Sequence, residues 1–352
     1  MPFRSPPNRS PANPESEFRS ALKTLFKSRK RPMSNSSKSR SRLSLMSVCL
    51  PLALLPAQMS PQMSAILPPT VPATVAATVS AKWGHRSLSP GDALLLNARP
   101  GGLEPVAIRE AGGGFRELPL ENSWQAKALA KEYFFPAQRF EVYRNGQSRG
   151  VLDIEGFQAA GCSGFGFATG LLRPPLADTQ QSERFIAFSQ GFPGQRNYAG
   201  ELPLEASQRA LAESMTQANY AERGLSTELL SRLQIDAVQA LSLNQGQTQG
   251  LMVASRILAG PDSSSGCNSH ALLLLLEQSG QGWVPRLELY KTDTQAEGMC
   301  SGYSFISSFR TEPASDYLLI EGWGYEWNWY EIYRRTPNGN YHQEFSGGGG
   351  GC

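Results

Sequence analysis

The densest run of side chains able to do chemistry lies near the C-terminal end. It reads Glu321-Gly-Trp323-Gly-Tyr325-Glu326-Trp327-Asn-Trp329-Tyr330, followed by Tyr333. Trp323, Tyr325, Trp327 and Trp329 alternate, so a continuous extended strand would project all four from one face. Flat aromatic faces stack on sugar rings, and Glu321 or Glu326 beside them could bind hydroxyls or act as acid and base. These six residues are the ligand-binding candidates. The competing reading is a sheet face packed into the core, where each aromatic pair contributes roughly 0.5–1.5 kcal/mol. Gly322 and Gly324 predict a turn or bulge that breaks the alternation.

Elsewhere the chemistry is sparse. His85, His270 and His342 are scattered, Cys267-x-x-His270 stands alone, and no His-Glu-x-x-His, P-loop or dinucleotide fingerprint occurs. The expectation is therefore no metal and no cofactor. Gly161-Cys162-Ser163-Gly164-Phe165-Gly166 lacks the Gly-x-Ser-x-Gly spacing of a nucleophile elbow, and no helical pattern follows it, so it reads as a Gly-rich strand or loop. No catalytic residue is assigned. The function expected is a binding or structural module with a glycan or protein ligand. The rival is a secreted glycan-active hydrolase using Glu321 and Glu326.

The 352 residues carry a formal net charge of +3, an average over two unlike parts. Residues 1–42 hold eleven basic and two acidic side chains, so the rest of the chain is acidic at −6. An acidic body argues against nucleic-acid binding. The run from Leu43 to Ala57 is apolar but too short for a bilayer core of ~30 Å, and Pro51 and Pro56 interrupt it. A basic region, a short apolar region and a small residue at Ala57 together read as a secretory signal peptide over 33–57. Met33 is the more natural start, which makes 1–32 a basic disordered extension or a misannotated start. Residues 58–81, rich in Pro, Ala and Thr, read as a linker. The mature chain is expected to be secreted or periplasmic, with no transmembrane anchor.

Cysteine usage agrees with export. With Cys49 lost in the leader, Cys162, Cys267, Cys300 and Cys352 remain, an even number that suggests two disulfides in one of three connectivities. Gly347–Gly351 reads as a loose tether for Cys352.

The elements that must position these residues read as mostly β with a short helical segment. Over 82–200, apolar runs at Ala93–Asn97, Pro105–Glu110, Phe115–Leu118, Arg139–Tyr143 and Gly150–Ile154 are strand-sized, and Asn145-Gly146 is a hairpin turn signal. This block is expected to be a small β-barrel or sandwich. A helical segment over 201–234 follows, with Leu204, Ala210, Leu211, Met215 and Ala218 on one face and Ser226 capping a second short helix.

The block 235–352 shows internal order. Ser242–Ala254 aligns with Ser308–Ile320, each with a polar loop followed by an apolar strand, and each then supplies two further strands, at Ala271–Gln278 and Gly282–Tyr290 and at Trp327–Arg335 and Tyr341–Phe345. Two four-strand units resemble propeller blades. The pattern is similar to FG-GAP and VCBS type β-propeller repeats, whose loops bind calcium through an Asp-x-Asp/Asn-x-Asp-Gly run. On that resemblance Ser242, Asn244, Gly246 and Gln247 fill the first loop, and Ser308, Arg310, Glu312 and Pro313 fill the second, with Asp316 just before the strand. Both loops have lost carboxylates, and Arg310 repels a cation, so the resemblance implies degenerate loops without calcium. The Gly-rich, Cys-ended tail is also similar to that of other exported bacterial proteins.

Overall fold

Seven strands near the start of the folded body are short, apolar and antiparallel. They are β1 (Ala93–Arg99), β2 (Gly102–Arg109), β3 (Phe115–Arg116), β4 (Arg139–Arg144), β5 (Gln147–Ala159), β6 (Gly166–Arg173) and β7 (Phe185–Phe188). They run in the order β1-β7-β4-β5-β6-β2, and β2 pairs back with β1, so six of them close a barrel while β3 hangs on β2. The Asn145-Gly146 turn joins β4 to β5 with both residues in the left-handed region, as a two-residue hairpin requires.

A barrel this narrow is filled by its own side chains. Leu94, Leu96 and Ala98 of β1 meet Leu103, Ile108, Phe140, Val142, Leu152 and Phe185 inside it. Helix α1 (Ser123–Tyr133) adds Ala130, and Phe134 just beyond it stacks on Phe157 at 6.0 Å between ring centroids. The structure, a computed structural model, describes residues 91–351 except 100, 119–122, 136–137, 160–165, 176–182, 190–191, 193–197, 199, 260–267, 281, 294–299, 312–314 and 325. The expected leader and linker, His85, Cys162, Cys267, Cys352 and Tyr325 therefore lie outside the described residues.

Beyond the barrel the chain builds two more antiparallel sheets. Strand β8 (Glu201–Leu202), helix α2 (Ala206–Glu222) and helix α3 (Thr227–Leu230) lead into β9 (Leu233–Leu243), β10 (Thr248–Leu258), β11 (Ser269–Ser279) and β12 (Gly282–Asp293). These pair as β12-β11-β10-β9-β8. A second sheet, β13-β14-β15-β16, comprises Gly302–Thr311, Ser315–Trp323, Trp327–Arg335 and Tyr341–Gly351. Ser226 caps α3 through the Leu229 N–H, as its sequence position predicted.

These parts stack in layers, and the apolar runs show why. In β1, Ala93 and Leu95 point out of the barrel onto Phe309, Tyr317, Leu319, Tyr330 and Ile332 of the four-stranded sheet. The other face of that sheet, with Leu318, Ile320 and Tyr333, packs on Leu241, Met252, Leu273 and Leu275 of the five-stranded sheet. Leu272, Leu274 and Leu276 then face the helices. The unbroken leucines of β11 are therefore those of a strand buried on both faces, which reads as a continuous apolar run rather than an alternation. Of the expected helix α2 stripe, Leu204, Leu211 and Met215 pack partly buried against the core, whereas Ala210 is exposed. Ala212, Thr216 and Tyr220 are the fully buried centre of that face: the small Ala212 and Thr216 let the helix approach, and the Tyr220 hydroxyl reaches the Ser255 carbonyl at 3.2 Å.

Gly347–Gly351 is not a loose tether. It is the second half of β16, paired with β15 from Tyr330 to Trp327. Glycine is required there because a Cβ on Gly348 would stand 2.7 Å from the Val106 carbonyl of the barrel, and one on Gly349 would stand 2.1 Å from the Asn328 carbonyl.

Candidate functional site

The aromatic run forms a hairpin rather than one strand. Trp323 ends β14 and Trp327 begins β15, with the Gly324 N–H donating to the Trp327 carbonyl at 3.0 Å and Glu326 held at a φ of 67° in the turn. Non-glycine residues in the left-handed region cost on the order of 1–3 kcal/mol each. Trp323 pairs with Asn328 and Gly322 with Trp329, so side-chain alternation puts Trp323 on one face of the sheet and Trp327 and Trp329 on the other. The expected four-residue strip is thus corrected to a pair, because the glycines turn the chain between its halves. Trp323 lies over Gly302, where an added Cβ would meet its ring at 2.5 Å.

Trp327 and Trp329 stand 6.2 Å apart at a tilt of 50°. Trp329 is half-buried and fixed: its Nε1 donates to Glu331 at 2.8 Å, the Lys291 ammonium sits 4.5 Å from its ring centroid, and Tyr303 meets it edge-on at 6.3 Å. Trp327 is 65 % exposed. Its cross-strand neighbour on β16 is Gly351, and the Gly324 N–H donates to its carbonyl on the other side, so glycine backbone flanks the indole on both sides. Exposed indole, bare glycine flanks and nearby Glu326 and Lys291 form a shelf that can stack a flat ligand and reach its hydroxyls. Lys291 comes from β12 in the neighbouring sheet, and nothing in the local sequence of the aromatic run points to it.

Glu321 lies on the opposite face, 3 % exposed. Arg184 bonds directly to it, Asn328 Nδ2 donates to it at 3.0 Å, and Arg99 lies 3.8 Å away. Beside it the Tyr330 hydroxyl donates to Glu104 at 2.6 Å and accepts from Asn97 Nδ2 at 2.8 Å. Burial, then the Glu104 and Glu321 carboxylates, push the Tyr330 hydroxyl well above its ordinary value, so it stays a donor. The geometry does not bring Glu321 and Glu326 together as an acid and base: one is locked in this network and the other sits on an exposed turn.

No protein-family model matches the chain, and neither a curated protein nor a solved structure matches it.

The two polar loops that carry the propeller resemblance meet in space. Arg310 Nε donates to Asp316 Oδ1 at 2.7 Å, and the Asn244 N–H donates to Oδ2 at 2.6 Å. Both carboxylate oxygens are taken by protein donors, so Asp316 is not free for a hard cation. His270 is half-buried against the Tyr290 hydroxyl at 2.7 Å, and burial lowers its pKa from the ordinary value. His342 is exposed, 4.0 Å from Glu344. Among the described residues no helix is long and apolar enough to cross a membrane.

Proposed function

We propose that the chain is an exported, disulfide-bearing binding module that stacks a glycan on Trp327. The observation that carries this reading is the exposure of Trp327, at 65 %, on a shelf braced by Trp329 and flanked by glycine backbone. A side chain of this size left in water costs apolar exposure, which a stacked ligand removes. Export is supported by the leader pattern over 33–57 and by the even number of cysteines beyond it. Kinship with FG-GAP and VCBS repeats is part of the proposal, supported by the matching strand order of β9 to β12 and β13 to β16. A hydrolytic role is disfavoured by the ion pairs that hold Glu321 on the other sheet face.

The test is a glycan array probed with the wild type and with Trp327→Ala. Signals that vanish in the variant while its melting temperature holds support the platform. An array with no signal for the wild type, or one unchanged by Trp327→Ala, overturns it. N-terminal sequencing of the mature protein tests export: a chain that begins near Met1 sinks that part.

A further inference from the structure

The two C-terminal sheets face each other, and the aromatic shelf is the rim of the cleft between them. Tyr333 of β15 packs with Leu318 and Ile320 against the five-stranded sheet, and strand alternation puts Glu331, Trp329 and Trp327 on that same face. From the opposite side, Leu287 and Leu289 of β12 pack into the cleft, and Lys291 is the next residue in their alternation. The two strands therefore deliver Lys291 and the indoles to one rim. There the Lys291 ammonium lies 4.5 Å from the centroid of the Trp329 ring, and that ring lies 6.2 Å from Trp327.

The charges at this rim are unequally committed. Glu331 is buried, and its two oxygens are both taken, by Trp329 Nε1 at 2.8 Å and by the Tyr333 hydroxyl at 2.6 Å. Lys291 is half-buried, and among the described residues no carboxylate or other acceptor bonds its ammonium. A ring face attracts the charge of a cation without consuming its N–H donors, so those turned away from Trp329 are left for a ligand. The opposing charge is Glu326. It is exposed at the tip of the hairpin, before Trp327, where water and salt screen it, whereas a partly buried charge is screened less. The shelf thus runs from a solvated acid at its tip, across the exposed indole of Trp327, to an unpaired ammonium at its root.

Resting on the glycan-stacking reading, we infer that the shelf selects an acidic glycan, one ring of which stacks on Trp327 while a carboxylate of that sugar or its neighbour meets Lys291. The 6.2 Å between the indoles is on the scale of one sugar residue, so a ring on Trp327 brings its own substituents or those of the next sugar to Lys291. Hydrogen bonds between an ammonium and a carboxylate are charge-assisted and roughly twice as strong as neutral ones, so a uronate gains more from Lys291 than the corresponding neutral sugar. The glycine backbone flanking Trp327 supplies no wall to sort one glycan from another, which leaves this charge contact to do so.

The test is isothermal titration calorimetry of the intact chain with oligosaccharides of polygalacturonate, alginate and hyaluronan, each beside its carboxyl-reduced form, which keeps the backbone and loses the charge. At least one acidic form should bind about tenfold or more tightly than its reduced counterpart, and the preference should shrink as salt is raised. Lys291→Gln should erase the preference by weakening the acidic form alone, Lys291→Arg should keep most of it, and Trp327→Ala should abolish binding of both forms. The inference is overturned, while the shelf stands, if Trp327-dependent binding is equal for acidic and reduced forms, if the preference survives Lys291→Gln, if that variant weakens both forms alike, as a merely structural brace for Trp329 would, or if the array shows Trp327-dependent binding to neutral glycans alone. The shelf reading itself fails, and the inference with it, if binding survives Trp327→Ala or if no glycan of either kind binds.

Discussion

Gly322 of β14 lies directly across the hairpin from Trp329 of β15, and a Cβ built on Gly322 would stand 2.2 Å from the indole. The indole cannot swing aside cheaply, because Glu331 holds its Nε1 and Lys291 and Tyr303 crowd its ring. Gly322→Ala should therefore destabilise the fold by about 1–3 kcal/mol, the usual cost of overpacking. It should also weaken glycan binding, since Trp329 braces Trp327. Urea denaturation and tryptophan emission are the measurements. An unmoved midpoint with an unshifted emission maximum would show that Trp329 does not pack on this glycine.

Tyr330→Phe acts on the other face of the same strand. It removes the donor to Glu104 and leaves Asn97, which is fully buried, with an unpaired amide. A buried polar group left without a partner costs about 1–3 kcal/mol. The thermal midpoint should fall accordingly while glycan binding at Trp327 persists, because the network is turned towards the barrel. Loss of binding with no loss of stability would place Tyr330 at the ligand instead.

The strands were the legible part of this chain and the layering was not. Asn145-Gly146, the apolar runs of β1, β2 and β4, and the four strands of each C-terminal unit are local signals, and each lies close to its predicted position. Helix α1 leaves a weak sequence signal because its roughly three Ala- and Lys-rich turns fall between strand-like runs and carry only a narrow apolar face. The glycine tail misled because glycine signals freedom in isolation. Here it marks a strand that approaches barrel backbone too closely for any Cβ. The aromatic run showed its residues but not their partners: Lys291, Arg184, Arg99 and Asn97 come from distant segments, and only tertiary packing brings them in. The Gly322 and Gly324 signal for a turn was in the sequence, and it outweighed the alternation.

We predict a disulfide between Cys267 and Cys300, each close in sequence to described residues that strand register holds together. Ser269 pairs with Asp293 across β11 and β12, and Asp293 accepts from both the N–H and the hydroxyl of Ser301, at 3.2 and 2.9 Å. Ser269 and Ser301 stand within two residues of Cys267 and Cys300, so of the three connectivities the expected one joins these two. Peptide mapping without reduction should return Cys267 linked to Cys300. Closing a loop of this length contributes about 3–4 kcal/mol in the chain-entropy account, so Cys267→Ser and Cys300→Ser should each lower stability by a similar amount. Recovery of Cys300 linked to Cys162 or Cys352 would refute the assignment.

The buried tyrosines set the behaviour of the fold in alkali. Burial pushes the Tyr198 hydroxyl up to about 12, against smaller opposing effects of Ser308 and Arg310. Burial raises Tyr220 to about 12 as well, and Tyr333 and Tyr341 are also raised, chiefly by burial. In the unfolded chain tyrosine ionises near pH 10. Between about pH 10 and the folded values the unfolded state therefore holds fewer protons than the folded one, and stability falls as pH rises. Below about pH 10 these groups are protonated in both states and impose no slope. The denaturation midpoint should be flat in mild alkali and then decline steeply, with tyrosinate absorbance from the buried rings appearing together with loss of the β signal in circular dichroism. Full tyrosinate absorbance from a chain that keeps its β signal would show that these hydroxyls are open to solvent, and the layered core described here would have to be redrawn around them.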